Sequence, residues 1–558
     1  MDGASQTTCS PLRVVYFNML GLTRLLSTLL LAKDVLISTT GPTVSVGYAT
    51  YLGNQSHPNT VAYLGVAYAE PPVGDLRFRA TVPLNTTRLR EEAGGQVINA
   101  TYYPDFCVQG STGRGDAGGA GSEDCLKVNI YTPYGAKEGD NLPVLFYIHG
   151  GGYVFGNPRN WPFDDWIHQS PNVVIVSVYY RLDSLGFLAT PEFGGSEHGD
   201  FNAGFKDQTQ ALRWVKKYIS AFGGDPNRVT INGQSAGGAS VELHMAAHGR
   251  EQLFHGAIAQ SVYRTPLPTP EQQQPLFKFY SSYAGCGTGS IGEQMTCLRN
   301  ASISTLARAQ DAATQGKFSG LYNTFHPVLD GVIFTGYPTL QFQSGEFRHV
   351  PLIVGSTSNE TLSGGSNISL ALKEYFPSLT KADIQEFLEL YPLSEYDSPE
   401  QQFQVATGEP DVICGREAMG GASSLFSDTW TYRYNTPNPT QGSAAVVHAA
   451  ENWMMFDGTN TGFNGTTTFT HQTTAELVFA SELIAYWLSF VRSGNPNTYK
   501  LEMSPTWERY TPTKKVRMVL MQDPLNSGTV SGSYMEEEPT AEGNRCVFAI
   551  SKAIHTQD

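Results

Sequence analysis

Short apolar runs punctuate the chain, with stretches of helical character between them. Val144–Ile148, Val173–Val178, Val229–Ile231, Ala257–Ala259 and Leu352–Val354 are apolar or β-branched almost throughout. A strand apolar on both sides of its pleat belongs inside a sheet covered on both faces. Segments such as Phe205–Phe222 read as the helices between them. The alternation predicts an α/β fold: a large, mostly parallel central sheet with helices on both faces. No internal repeat and no Pro/Gly/Ser linker divides the pattern. Residues 41–558 are therefore expected to form one domain, although 558 residues would often divide further. Residues 1–40 read as an N-terminal extension. Within it, Met19–Ala32 is leucine-rich and interrupted by Arg24. Read from Met19, it fits the h-region of a secretory signal; it is too short and too charged for a membrane span. The alternative is an amphipathic helix that stays attached.

Two motifs sit at the ends of predicted strands. Val229–Asn232 runs into Gly233-Gln234-Ser235-Ala236-Gly237, and the mostly apolar Ala239–His248 follows, with Gly249 where a helix would stop. Strand, sharp turn and helix around G-x-S-x-G make a nucleophile elbow with Ser235 at its tip. The glycines permit a turn and a strand–helix approach that a Cβ would block. Upstream, the apolar Pro143–Ile148 ends in His149-Gly150-Gly151-Gly152. Three consecutive glycines lose much backbone entropy on ordering, and are useful where bare N–H groups must approach a ligand. This is an oxyanion-loop pattern, with the N–H groups of Gly151, Gly152 and Ala236 as candidate donors.

Further motifs give the chain a family likeness. Pro71-Pro72-Val73-Gly74 with Leu76-Arg77-Phe78, Ser122-Glu123-Asp124-Cys125-Leu126, and Tyr180-Arg181 with Gly186-Phe187-Leu188 come first. Asn202 with Asp207-Gln208, and Phe222-Gly223-Gly224-Asp225-Pro226, follow. With the elbow, these make the chain resemble the type-B carboxylesterase, lipase and cholinesterase family of α/β-hydrolases from about Thr43 to near the C-terminus, most like fungal secreted carboxylesterases. The resemblance implies the α/β-hydrolase fold and a serine esterase with a Ser, acid, His triad. Glu360, after Pro351–Gly355, matches the family acid. Asp330 in Leu329-Asp330-Gly331 is the rival and reads as a turn aspartate. Of the later histidines, His471 lies in a Thr-rich stretch and His555 in a polar tail. His448 precedes Glu451 in the family's H-x-x-E pattern. Ser261 and Glu451 match buried polar positions beside the triad. Arg77, Glu123, Arg181 and Asp207 look like structural ion pairs. Two departures stand out: Gln234 replaces the family's Glu, and Ala449 stands where Gly often follows the histidine.

Composition narrows the reading. The chain carries 36 basic and 51 acidic residues, a net charge of −15, which argues against nucleic acid and anionic membranes as partners. No Cys/His cluster has metal spacing and no phosphate-binding glycine pattern occurs, so neither metal nor cofactor is expected. The resemblance pairs Cys107 with Cys125 and Cys286 with Cys297. Cys414 and Cys546 are candidates for a third bond, leaving Cys9 odd. Seven glycosylation sequons, at Asn54, Asn85, Asn99, Asn300, Asn359, Asn367 and Asn464, are compatible with secretion. In cholinesterases the choline-binding tryptophan sits in the first disulfide loop. Here that loop, Val108–Asp124, has no aromatic residue, and its Gly/Ser/Asp composition makes a poor amphipathic lid. The expected activity is hydrolysis of soluble or dispersed carboxylic esters, aryl or hydroxycinnamate esters among the candidates. A lipase or sterol esterase is the alternative, and a non-catalytic adhesion or scaffold relative a remote one.

Overall fold

The computed structural model describes residues 41–558, apart from 112–118, 196, 250, 463 and 464. The Met19–Ala32 segment, Cys9 and Asn464 lie outside the described residues. Strands β1 (Thr43–Ser45), β2 (Thr50–His57), β3 (Thr60–Ala67), β4 (Val97–Ala100) and β5 (Lys127–Pro133) come first. Next are β6 (Leu142–Ile148), β7 (Val174–Val178), β8 (Gly224–Gln234), β9 (Gly256–Gln260) and β10 (Leu352–Thr357). After β11 (Thr429–Tyr434), a separate hairpin pairs β12 (Thr459–Thr461) with β13 (Thr467–Phe469). Last come β14 (Val516–Leu520) and β15 (Tyr534–Glu537).

Among the described residues, thirteen strands make one sheet in the order β1-β2-β3-β5-β7-β6-β8-β9-β10-β11-β14-β15, with β4 on β2. From β7 to β14 every pairing is parallel. Antiparallel strands flank this centre. The continuous apolar runs are explained by their two faces. Val144, Phe146 and Ile148 of β6 pack into one core, and Leu145 and Tyr147 into another across the sheet. Val174 and Val176 of β7 likewise oppose Ile175. Each such side chain contributes roughly 1.5–3 kcal/mol by leaving water, so neither face tolerates a polar residue without a partner. Phe205–Phe222 is helical as predicted. It starts slightly earlier, as the helix Ala203–Tyr218, and finishes in a 3₁₀ turn, Ile219–Phe222.

The longest helix among the described residues, Thr474–Ser493, has the length and apolarity of a membrane span, yet most of it is buried in the protein. Thr473 and Glu476 close its N-terminus in a capping box, and Gly494 ends it at φ 70°. Its Leu483, Tyr486, Trp487 and Phe490 join the same core as Tyr147.

Two buried ion pairs join distant segments. Arg181, just after β7, forks onto Asp207 with two bonds of 2.8 Å. Arg77 forks onto Glu123 at 2.6 and 2.7 Å. The other arm of Arg77 donates to the carbonyls of Leu298, Arg299 and Ala301 around the C-terminal end of the helix Ile291–Asn300, where carbonyls outnumber helical N–H donors. One side chain thus ties together the segments carrying the first two disulfides. Cys107–Cys125, Cys286–Cys297 and Cys414–Cys546 are all bonded. The third bond lies in a helical cluster of its own, with Leu372, Phe376 and Phe387.

The Cys414–Cys546 bond joins residues 132 apart, so reducing it restores the most freedom to the unfolded chain. Replacing both cysteines by Ser is expected to lower stability by about 2–5 kcal/mol, read as an earlier denaturation midpoint. Non-reducing peptide mapping should recover all three linked peptides; free Cys107 and Cys125 in secreted material would contradict the pairing.

Candidate active site

Ser235 alone forms the turn between β8 and the helix Ala236–Ala246, at φ 60° and ψ −124°. Backbone crowding explains the glycines beside it. A Cβ on Gly233 would lie 2.3 Å from the carbonyl oxygen of Gly237. On Gly237 it would lie 2.1 Å from that of Ile148, and on Gly238 2.5 Å from that of Gln260. Only glycine lets two strands and a helix start approach so closely. The helix begins earlier than its apolar run at Ala239 because the turn uses a single residue. It stops at Ala246, before Gly249: Ala247 is extended, and the His248 N–H donates to the Ile333 carbonyl instead of continuing the helix.

Three side chains named from the sequence meet at the ends of strands that β9 separates. Ser235 follows β8, Glu360 follows β10, and His448 lies in the connection after β11. The His448 Nε2 is 2.8 Å from the Ser235 Oγ, and its Nδ1 is 2.5 Å from the Glu360 Oε2. The other Glu360 oxygen accepts from the Ser261 hydroxyl at 2.7 Å and the Thr357 N–H at 2.5 Å. Ala449 sits at φ 65° before the helix Ala450–Met455. The position calls for a left-handed residue, which accounts for the glycine often found there and makes alanine a strained substitute.

Electrostatics reinforce the contact. Burial opposes charge on Glu360, yet His448 and the hydrogen bonds from Ser261 and Thr357 hold its carboxyl below the usual range. Burial also pulls His448 down, but the Glu360 carboxylate, helped by Glu451 and Asp411, lifts the imidazole above its ordinary value. Burial, with Glu360 adding repulsion, raises Glu451 to about 7. Glu451 therefore carries only part of its charge at neutral pH, whereas Ser261 touches the acid directly.

Beside Ser235, the His149–Gly152 loop is clamped from behind. The His149 ring stacks between Tyr180 and Trp161, and Tyr180 donates to the His149 carbonyl at 2.9 Å. Burial lowers the imidazole to about 4 despite its bond to the Gly150 carbonyl, so the ring is neutral at pH 7 and donates that bond from Nδ1–H. Gly151 and Gly152 have φ of 109° and 61°. Among the described residues, no group accepts from the N–H groups of Gly151, Gly152 or Ala236. Ala236 opens a helix, so its N–H points outward with the positive end of the helix dipole.

Other predicted positions fall elsewhere. Asp330 accepts the backbone N–H groups of Val332, Ile333 and Phe334 and the side chain of Asn202. It is a turn aspartate. His555 pairs with Asp383, and His471 stacks edge-on with Phe469. Gln234 accepts from Asn452 at 3.2 Å and approaches His448 at 3.4 Å. Gln109 was not foreseen: its carboxamide accepts from the Gly156 N–H at 3.1 Å and steadies the loop from the first disulfide segment. Asn452 and Asp411 were also missed, because only folding brings them to the site.

A cavity of about 620 Å³ opens over Ser235 and His448. Phe155, Trp161, Tyr263, Tyr375 and Trp453 give it an aromatic lining.

Comparison with known proteins gives one consistent result. A family model described as the carboxylesterase family matches residues 40–538. Secreted lipase 4 of Gibberella zeae is 30% identical over 502 residues, covering 85% of each chain. Carboxylesterase 1F of Mus musculus is 31% identical over 523 residues, covering 84% of this chain and 88% of its own. The crystal structure of Aspergillus niger EstA superposes with a TM-score of 0.80 at 28% identity, covering 93% of this chain and 99% of that one.

Titration of His448, followed by NMR of its ring, should give a pKa above about 6.5. In Glu360→Gln the main upward influence is gone while burial remains, so the value should fall below that of the parent. An unchanged value would show that Glu360 does not govern this imidazole.

Proposed function

Because the chain belongs to the carboxylesterase family and is a carboxylic ester hydrolase, we propose that Ser235, His448 and Glu360 form its catalytic triad. The supporting observation is the unbroken chain of hydrogen bonds from the Ser235 Oγ through both imidazole nitrogens to a buried carboxylate. A serine hydroxyl is a poor nucleophile until a base takes its proton. His448 takes that proton at Nε2 as the Oγ attacks the ester carbonyl carbon. Glu360 fixes Nδ1–H and stabilises the imidazolium. The N–H groups of Gly151, Gly152 and Ala236 hold the oxyanion, where each donor contributes about 2.7–4 kcal/mol in comparable sites. Collapse breaks the ester C–O bond, and His448 returns its proton to the departing alcohol. Water then repeats the sequence on the acyl-enzyme and releases the acid. Ser261 and Glu451 support the acid and the imidazole. No cofactor takes part in this scheme.

The substrates are soluble or dispersed carboxylic esters, and the aromatic cavity suits aryl acyl groups such as hydroxycinnamates. Val108 is the one large aliphatic residue of the first disulfide loop, Val108–Asp124, so opening that loop would expose little apolar surface. Three disulfides, and the secreted lipase among the relatives, support action outside the cytosol.

Ser235→Ala and His448→Ala should each lower kcat by about four to six orders of magnitude, and Glu360→Gln by about four. Asp330→Asn should keep near-parental activity with reduced stability. A fluorophosphonate probe should label the parent and not Ser235→Ala. The acid assignment fails if folded Glu360→Gln stays active while Asp330→Asn is dead.

Kinetics on a short-chain ester should stay hyperbolic as its concentration passes the solubility limit, because little apolar surface is available to gain from an interface. A steep rise in rate at that limit would favour the lipase alternative.

A further inference from the structure

A second cavity, of about 330 Å³, lies at the far end of the helix Ala236–Ala246 from Ser235. The helix separates the two by about 15 Å at 1.5 Å per residue. His244 and Ala247, at its end, line this cavity. The helix Ala203–Tyr218 supplies another side through Lys206, Gln210 and Arg213, whose spacing puts them on one face. Between these groups the lining is apolar. Phe205, Leu253 and Phe254 are buried there, and the His244 ring stacks on Phe205 with centroids 4.2 Å apart. Burial lowers this imidazole to about 3, so it adds no charge.

The polar groups divide into those already partnered and those not. Arg213 pairs with Glu251 at 2.8 Å. Arg348 donates to the carbonyls of Gly249 and Glu251. Lys206 is different. Its ammonium makes no hydrogen bond or ion pair among the described residues. Asp200 and Asp330 attract it, yet neither comes within 4.0 Å. Asp200 is committed to Arg79 and the Ala80 N–H, and Asp330 to the turn it caps. Burial has already removed part of the water around Lys206, which holds its pKa below the ordinary lysine value. Gln210 is the second such group. It is only 9% exposed, its side chain has no hydrogen bond among the described residues, and its polar atoms still reach the surface. A largely buried amide without a partner is uncommon.

We propose that this cavity binds a monocarboxylate with an apolar body, the class of molecule that ester hydrolysis releases. Its carboxylate accepts from the Lys206 ammonium and the Gln210 carboxamide, and its body lies against Phe205, Leu253 and Phe254. One unpaired cation matches one negative charge, and the volume falls within the range of about 300–1,000 Å³ usual for small-molecule sites. An ester has no charge to offer Lys206, so the site separates the released acid from its parent ester. The ester-hydrolase activity supplies the ligand class; the identity of the triad does not enter.

Titration calorimetry with cinnamate and cinnamamide, which share a body and differ in charge, tests the site in the parent, Lys206→Met and Ala247→Leu. Each protein is first treated with a fluorophosphonate, which occupies Ser235. If none reacts, the triad reading fails on that result and the untreated proteins are titrated. The parent should bind cinnamate with a Kd below about 1 mM. Cinnamamide should bind about tenfold or more weakly, the scale of one hydrogen bond to a charged group. Lys206→Met keeps the aliphatic stem and should bring the two ligands to within about twofold of each other. Ala247→Leu adds bulk at a half-buried lining position and should weaken both about tenfold or more. A parent that binds neither ligand, or both equally, overturns the site. So does a preference for cinnamate that survives in Lys206→Met. If Lys206→Met does not fold, cinnamate binding unchanged by Ala247→Leu overturns it.

Discussion

Ser235 keeps its backbone at φ 60° and ψ −124°, a conformation that costs a residue with a Cβ about 1–3 kcal/mol. The surrounding structure is arranged so that no relaxed alternative is available. Gly233, Gly237 and Gly238 let β6, β8, β9 and the following helix crowd to backbone contact. The Ser235 N–H is committed to the Gln260 carbonyl at 2.9 Å. The parallel sheet, buried on both faces, is the rigid body against which the turn is held. If the turn relaxed, the hydroxyl would leave both the imidazole and the bare N–H groups of the glycine loop.

The same economy governs charge. Glu360 remains ionised in a fully buried place because it spends its lone pairs on His448, Ser261 and the Thr357 N–H. Each bond offsets part of a desolvation that would otherwise neutralise it. His149 solves the opposite problem. Stacked between two aromatic rings and kept from taking a second proton at neutral pH, it anchors the glycine loop without adding a positive charge beside Ser235. Two histidines close to one serine therefore differ in role, and the difference lies in what each is packed against.

The sequence revealed what depends on short-range pattern. The apolar runs announced the buried strands, and the glycine spacing announced the sharp turn at Ser235 and the glycine loop after β6. Motif likeness supplied Glu360 and His448, which composition alone would not have separated from Asp330 and the other histidines. Helix ends were legible only approximately: hydrophobic periodicity does not know that Ser235 makes a one-residue turn, or that His248 leaves the helix to bond Ile333. Least legible were the supports that act across long separations. Gln109 reaches Gly156 across 47 residues, and Asn452 reaches Gln234 across 218. A lone carboxamide carries no local signature, so these contacts exist only once the sheet has assembled.

The order of the proposed triad along the chain has a biosynthetic consequence. Ser235 precedes His448 by 213 residues, so a ribosome delivers the nucleophile roughly 10–40 s before its base at common elongation rates. Until His448 follows, the proposed nucleophile has no base to take its proton. Glu360 arrives between them and waits as a lone carboxylate. On that proposal, reactivity toward esters requires β11 to join the edge of β10 and carry the later segment into place.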